Sequence, residues 1–410
     1  MTTLNPSNHA WMRSDAVSKL FETFPEGSLR FVGGCVRNAL MGYVVADIDL
    51  STTLEPDAVE ALLQTSDIKS VPTGKAHGTI TAVINKIPFE ITSLRKDVET
   101  DGRRAVVSFT KDWAEDAQRR DFTMNALYAD FDGQIFDPTG QGVADLEAKK
   151  LRFIGVADDR IEEDYLRILR YFRFVASYVG DAKLDKAALD ACRRGRAGLK
   201  KLSAERVWKE LKTLLSTRSP ERAMRVMLTH DVLETLLPEA TNVDGLERLA
   251  LLERREAIKP DPILRLMSIC AREPLQVLLL SARLKMSKDE TNRLKNWVED
   301  GTALDPFAHE RDMRKAIYLA GKQVVIDRAR LRAAGEEDPI KSSRWMSLVD
   351  LAMGWTPPEF PLSGKDLQDA GVKNGPEMGR KLEALKALWV RSGFTADKPK
   401  LLMALTLLNR

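Results

Sequence analysis

Gly33 and Gly34 stop a short apolar run, Leu29-Arg30-Phe31-Val32, and 12 residues separate Gly34 from the pair Asp47 and Asp49. A strand that turns through glycines into a helix presents backbone N–H groups at a positive helix end, a ready site for a triphosphate. Arg37 falls one turn into that helix, where its guanidinium can pair with a phosphate oxygen. In an extended strand Asp47 and Asp49 point to one face, roughly 6.6 Å apart along the chain. Two carboxylates on one face beside a phosphate cradle can hold Mg²⁺, which takes its remaining ligands from phosphate and water. Ile48 and Leu50 then face the core. A lone Gly-Gly is ordinarily a turn and a lone Asp-x-Asp ordinarily surface. The ordered combination is far more specific, and the chemistry it suits is metal-assisted binding of a triphosphate.

The elements that must hold these groups cluster before about residue 155. Thr79 to Ile84, a polar Asn85-Lys86 turn, and Ile87 to Leu94 read as a hairpin. Glu90 alternates away from Ile87, Phe89 and Ile91, so it is either a third catalytic carboxylate or a solvated hairpin charge. Phe122 to Phe131 and Leu151 to Ile154 are further strand candidates, with helices over Val36 to Met41 and Ala58 to Leu63. From about residue 158 the pattern is amphipathic helix almost throughout. Helix starts are marked by Ser219-Pro220, a capping box Ser287…Glu290, Asp305-Pro306 and Ser363…Asp366, with a stop at Gly371. The expectation is an α+β chain divided as 1–137, 138–215, 216–330 and 331–410.

The composition is that of a soluble globular chain: 410 residues, 44% apolar and 30% charged. No run approaches the ~18 uncharged apolar residues of a membrane span. Met1 to Phe21 lacks an apolar signal-peptide core and carries Arg13, Asp15 and Lys19. Three distant cysteines and four histidines offer neither a disulfide framework nor a zinc site, so a reducing cytoplasm is expected. The net charge of +3 hides an asymmetry. Residues 1–137 hold 14 basic and 20 acidic side chains, and the remainder 49 against 40. An acidic front suits metal ligands and a basic remainder suits a polyanion, although solvated helix faces would look the same.

Three more motifs follow in order: Arg119-Arg120-Asp121-Phe-Thr-Met-Asn125, Asp137-Pro-Thr-Gly-Gln-Gly-Val-Ala-Asp145, and Glu163-Asp164-Tyr-Leu-Arg167-Ile-Leu-Arg170-Tyr-Phe-Arg173. Spacings of three and four put Glu163, Asp164 and Arg167 on one helix face, where a guanidinium and a carboxylate can mimic a Watson–Crick edge or form a plain ion pair. With the first motif, the set resembles the nucleotidyltransferases of the DNA polymerase beta superfamily. Within it, the set resembles the bacterial class II tRNA nucleotidyltransferases (CCA-adding enzymes) and their poly(A) polymerase relatives. The motif-bearing likeness spans about residues 28–215, with a weaker continuation through Leu362-Ser-Gly-Lys-Asp-Leu and Gly375-Pro-Glu-Met-Gly379.

The resemblance implies an α/β nucleotidyltransferase head followed by an all-helical neck, body and tail on the four segments above. It implies addition of CMP and AMP from CTP and ATP to the tRNA 3′ end, by two Mg²⁺ ions on Asp47 and Asp49. Arg119, Arg120 and Asp121, with Asn125, resemble the sugar-recognition element, and Glu163, Asp164 and Arg167 the base template, with Arg170 and Arg173 continuing the series. The polar stretch Arg95 to Arg104 corresponds to a flexible loop needed for the switch to the final A. A basic cluster, Arg193, Arg194, Arg196, Lys200, Lys201 and Arg206, would lie where an acceptor stem could rest. The sequence departs from the family at Asn38, commonly Asp, and at Gly140-Gln141-Gly142, commonly adjacent glycines. The rival readings are an ATP-only poly(A) polymerase, a partial CC- or A-adding enzyme, and a silent RNA-binding protein. No membrane partner is expected, and a monomer is favoured.

Overall fold

In the computed structural model the described residues are 2–101 and 104–408. The chain divides into two compact units, Met1–Pro238 and Glu239–Arg410.

The first unit carries β1 (Leu29–Val32), β2 (Asp49–Thr52), β3 (Lys69–Gly74), β4 (Thr79–Ile84), β5 (Ile87–Ser93), β6 (Arg95–Asp101), β7 (Arg104–Phe109), β8 (Tyr128–Ala129) and β9 (Ile135–Phe136). Seven of them form one sheet in the order β3-β4-β5-β2-β1-β8-β9, and β6 and β7 form a separate ribbon. Only β2 and β5 run parallel within the large sheet, and their register sets Asp49 against Glu90. The β4–β5 hairpin turns through Asn85 (φ 52) and Lys86 (φ 67). Two consecutive positive φ values are the type I′ signature that matches the twist of paired strands. The buried floor of the sheet is Phe31, Leu50, Ile80 and Ile91, each at most 1% exposed.

Two strand expectations change. β2 begins at Asp49, so Asp47 lies in the chain leading into it, with Leu50 buried and Ile48 half-buried. Phe122 to Phe131 is not a continuous strand. It opens with a single bridge from Phe122 to Phe153, turns through Thr123–Asn125, and leaves only β8 in the sheet. Residues 122–129 are all buried, and burial on every side erases the alternation that separates a strand from an internal turn. Leu151 to Ile154 contributes only the Phe153 bridge. The stretch read as a polar loop from Arg95 is the β6–β7 ribbon, with Gly102 and Arg103 outside the described residues.

The helices of this unit are α1 (Asp15–Thr23), α2 (Gly34–Leu40), α3 (Pro56–Thr65), α4 (Trp113–Gln118), α5 (Gly142–Glu147), α6 (Ala157–Glu163), α7 (Leu166–Phe174), α8 (Lys186–Gly195), α9 (Ala204–Leu215), α10 (Glu221–Thr229) and α11 (Val232–Leu236). Phe174 and Tyr171 on α7 meet Phe122 at ring-centroid distances of 5.0 and 6.2 Å, which ties the helix to the turn below it. α10 starts one residue later than expected, at Glu221, with Pro220 in the cap position.

The second unit is helical among its described residues, built on one core around Val325, Trp345 and Val349 and another around Leu385, Trp389 and Leu401. The capping box expected at Ser287 is formed, the helix start expected at Ser363 is also a capping box, and Gly371 (φ 86) follows that helix. Asp305-Pro306 opens no helix. The next one is Glu310–Ala320, capped by His309, whose side chain accepts from the Arg311 amide. The architecture is therefore a mixed-sheet α/β head followed by mostly helical chain.

Candidate active site

β1 delivers the chain to Gly33, whose φ of 67° is a conformation L side chains rarely adopt. α2 opens directly after it. Arg37 is only 6% exposed, yet all its hydrogen-bond partners are uncharged. Its Nε and Nη2 donate to Asn38 Oδ1 at 3.1 and 2.9 Å, Nη1 donates to Asn125 Oδ1, and Nη2 donates to Tyr178 at 2.7 Å. Burial draws its pKa down. A buried cation held by neutral acceptors keeps its charge for an incoming anion.

Asp49 at the start of β2 and Glu90 opposite it on the neighbouring strand β5 are exposed, as is Asp47 in the chain leading into β2. The Asp49 carboxyl is raised above its usual range, first by desolvation at the cleft wall, then by Glu90, with Asp47 adding and Arg120 opposing. Carboxylates that repel one another suit a cation. Among the described residues no three His, Cys, Asp or Glu side chains close a metal cage. Asp47, Asp49 and Glu90 offer oxygen donors, the ligand type that suits a hard divalent cation. Cys35, beside them, is buried and its thiol is pushed up to about 11, so it is inert.

Arg119 and Arg120 are fixed from beneath by a residue that lies just outside their motif. Asp116, fully buried on α4, accepts from Arg119 at 2.6 and 2.9 Å, from Arg120 at 2.9 and 3.1 Å, and from the Tyr128 hydroxyl at 2.7 Å. Although burial alone would raise it, the two guanidinium groups pull its pKa down to about 2. The sequence reading missed Asp116; the available signal was its spacing of three and four residues from the two arginines.

Asp121 is 8% exposed and its lone pairs are engaged: Oδ1 accepts from Phe122 N and Asn125 Nδ2, both at 2.9 Å, and Oδ2 from Arg170 at 2.6 and 2.8 Å. Asp121, Asn125 and Arg170 all line the cleft.

Glu163, Asp164 and Arg167 do not share one continuous helix. α6 ends at Glu163, and Asp164 is extended (φ −155, ψ 104) before α7 begins. Arg167 nonetheless donates to Glu163, to Arg160 O at 2.8 Å, and weakly to Arg119 O at 3.4 Å. Asp164 accepts from Leu166 N at 3.1 Å and from Arg206 at 2.6 Å. Arg206 is thus a cleft residue bonded to Asp164, apart from the surface cluster in which the sequence grouped it. In that cluster Arg193 pairs with Asp231, Arg194 with Asp158, and Arg196 donates to Arg193 O. Lys201 lies 5.3 Å from the Tyr165 ring centroid, and Lys200 is exposed.

One cleft of about 600 Å³ brings most of these groups together. Gly33, Gly34, Asp49, Asp121, Asn125 and Asp164 line it with eight arginines: Arg37, Arg95, Arg119, Arg120, Arg167, Arg170, Arg173 and Arg206. Asp116, Glu163 and Glu210 behind the lining pair with Arg119, Arg120, Arg167 and Arg173, so eight guanidinium groups meet six carboxylates and the cleft keeps a positive excess suited to a polyanion. Asp47, Glu90 and Glu163 lie outside this lining.

Residues 29–152 match the family model for the poly A polymerase head domain, and residues 182–243 match a probable RNA and SrmB-binding site of polymerase A. The mitochondrial CCA tRNA nucleotidyltransferase 1 of Mus musculus is 35% identical over 402 residues, which cover 95% of this chain and 89% of that protein. The chain belongs to the CCA tRNA nucleotidyltransferase family. A CCA-adding enzyme of Streptococcus pyogenes is 32% identical over 375 residues, 90% of each chain. The crystal structure of the Bacillus stearothermophilus CCA-adding enzyme in complex with CTP superposes with a TM-score of 0.72 at 25% identity, covering 96% of this chain and 95% of that one. The Thermotoga maritima CCA-adding enzyme complexed with tRNA shares the fold, at a TM-score of 0.68 and 19% identity over all of both chains. This chain is accordingly an enzyme of the CCA-adding type, and nucleotidyltransferases of its superfamily use divalent metals. No helix among its described residues is long and apolar enough to cross a membrane.

Proposed function

We propose that this chain adds CMP and AMP, from CTP and ATP, to the 3′ end of tRNA without a nucleic-acid template. The carrying observation is the arginine-lined cleft that joins the Gly33-Gly34 turn and Asp49 to Arg119, Arg120, Asp164 and Arg167. Asp47 and Asp49 are the Mg²⁺ ligands in this reading, with Glu90, the register partner of Asp49, as the third carboxylate. When bound, Mg²⁺ supplies charge neutralisation on the triphosphate and Lewis-acid activation at the α-phosphoryl group. The backbone N–H groups of the glycine turn and Arg37 bind the triphosphate oxygens, and Arg119 and Arg120 are oriented by Asp116. The 3′-hydroxyl of the RNA attacks the α-phosphorus in line and pyrophosphate leaves.

Base choice falls to Asp164 and Arg167. Cytosine and adenine each present an exocyclic amino donor beside a ring-nitrogen acceptor, so one carboxylate and one guanidinium serve both. Arg167 Nη2 has only its 3.4 Å contact to Arg119 O and is the donor to spare, and each Asp164 oxygen retains a lone pair. Uracil and guanine place a carbonyl where the amino group is needed. The chain divides in this reading into head (1–137), neck (138–215), body (216–330) and tail (331–410). The tRNA rests on Arg193, Arg194, Arg196, Lys200 and Lys201. A reducing compartment such as the cytoplasm accords with three free cysteines.

Purified protein given tRNA lacking its 3′ end, with CTP, ATP or both, tests the proposal. Two cytidylates with CTP alone and the full end with both are expected. Long A tails from ATP alone would instead mark a poly(A) polymerase.

A further inference from the structure

Beyond α7 the helix does not simply continue. Val175–Val179 forms a single π turn, with hydrogen bonds reaching one residue further than in an α-helix. One extra residue in a turn rotates the succeeding side chains by roughly 100°, since an α-helix advances 3.6 residues per turn. The side chain this re-aims is Tyr178. Its hydroxyl accepts from Arg37 Nη2 at 2.7 Å, and the Arg37 guanidinium carbon lies 4.1 Å from the Tyr178 ring centroid. Phe174 stands 5.1 Å from the same guanidinium and 5.2 Å from the Tyr178 ring, and Tyr43 stacks on Tyr178 at 6.1 Å with a 27° interplanar angle. Arg37 is thus gripped through both a hydrogen bond and ring contacts.

We propose that Tyr178, presented by the π turn, is a positioning residue that sets the Arg37 guanidinium for the nucleotide triphosphate. The inference rests on the reading of Arg37 as a triphosphate ligand under the proposed function. A flexible arginine spends free energy on ordering when it binds, and one already fixed does not. The fixing is done by neutral groups, Tyr178, Asn38 and Asn125, so the positive charge is oriented without being neutralised. Asn125 also donates to Asp121, which holds Arg170. Tyr178 therefore stands at one end of a bonded chain that runs from the phosphate side of the cleft to the sugar side.

The variants Tyr178→Phe, which keeps the ring, and Tyr178→Leu, which removes ring and hydroxyl, separate the two contacts. In the full-length protein, Tyr178→Phe raises KM for CTP and for ATP by the same factor, about 3- to 10-fold, the worth of one hydrogen bond. Tyr178→Leu raises both further, while KM for tRNA and the preference for CTP over UTP stay at wild type. Inorganic tripolyphosphate, measured by calorimetry without turnover, weakens by the same factor in each variant. On an Arg37→Lys background, Tyr178→Phe adds less than about 2-fold, as expected for a residue acting through Arg37. The inference is overturned if tripolyphosphate binds the Tyr178 variants as it binds wild type, or if the tRNA KM moves instead. Because tripolyphosphate binding needs no turnover, it decides this point even should the wild-type protein fail to extend tRNA, a result that would count against the proposed function alone.

Discussion

Asp49 and Asp116 are two aspartates of one fold whose surroundings push them in opposite directions. Asp49 is raised, first by desolvation and then by the carboxylates of Glu90 and Asp47; Asp116, although burial opposes it, lies beneath two guanidinium groups and is depressed to about 2. The first arrangement is built to receive a cation and the second to hold cations that are already there. Asp47→Ala or Asp49→Ala should abolish nucleotide incorporation while the melting temperature moves little, because both side chains are exposed. Near-normal incorporation in both variants would remove them from the chemistry. Asp116 should show the reverse pattern of stability. Its folded pKa lies below the ordinary value of about 4, so its contribution, about 2 kcal/mol, is complete above about pH 4 and lost as pH falls towards about 2. Urea unfolding should find Asp116→Asn less stable than wild type near neutral pH, with the gap closing as the solution is acidified. A gap independent of pH would show that the Asp116 charge is not what stabilises the arginine pair.

The elements explain what could be read ahead of the structure. The β4–β5 hairpin was legible because alternating residues flank two that favour a left-handed turn. The α2 start was legible from the glycines, the capping box at Ser287 from its spacing, and the helix start at Ser363 from Ser363…Asp366. The break between α6 and α7 was not, because Asp164 and Tyr165 carry no Pro or Gly. The break is held instead by Asp164 accepting from Leu166 N and Arg206, a partner 42 residues away. Asp116 was missed for a similar reason: its importance lies in what it holds. Within the basic cluster, the structure also ranks residues the sequence could not. Arg193 and Arg194 are already paired with Asp231 and Asp158, whereas Lys200 is exposed and Lys201 meets an aromatic ring. Lys200→Glu with Lys201→Glu should weaken tRNA binding and lower the slope of log K against log salt by about one for each phosphate no longer neutralised. An unchanged slope would make this cluster an ordinary solvated face.

At the scale of the molecule, the residues proposed for metal chemistry and those proposed for base reading sit on different parts of the chain, the start of β2 at Asp49 and the turn at Asp164, which meet across one cleft. They should therefore separate by mutation. Asp164→Ala should reduce use of CTP and ATP and relax rejection of UTP or GTP, by the ~1–3 kcal/mol of a discriminating hydrogen bond to a charged group, or roughly 5- to 150-fold in relative efficiency, with catalysis retained. Wild-type base ratios in Asp164→Ala and in Arg167→Ala would move base reading elsewhere. The central claim, that this cleft builds a defined tRNA end, is tested most directly by product length. Wild-type protein is incubated to completion with CTP and ATP on tRNA ending before its final CCA, and the products are resolved to single nucleotides. A sharp stop is expected after two cytidylates and one adenylate, with the single adenylate added to tRNA already ending in CC. A ladder of adenylates without limit, or no cytidylate at all, would contradict it.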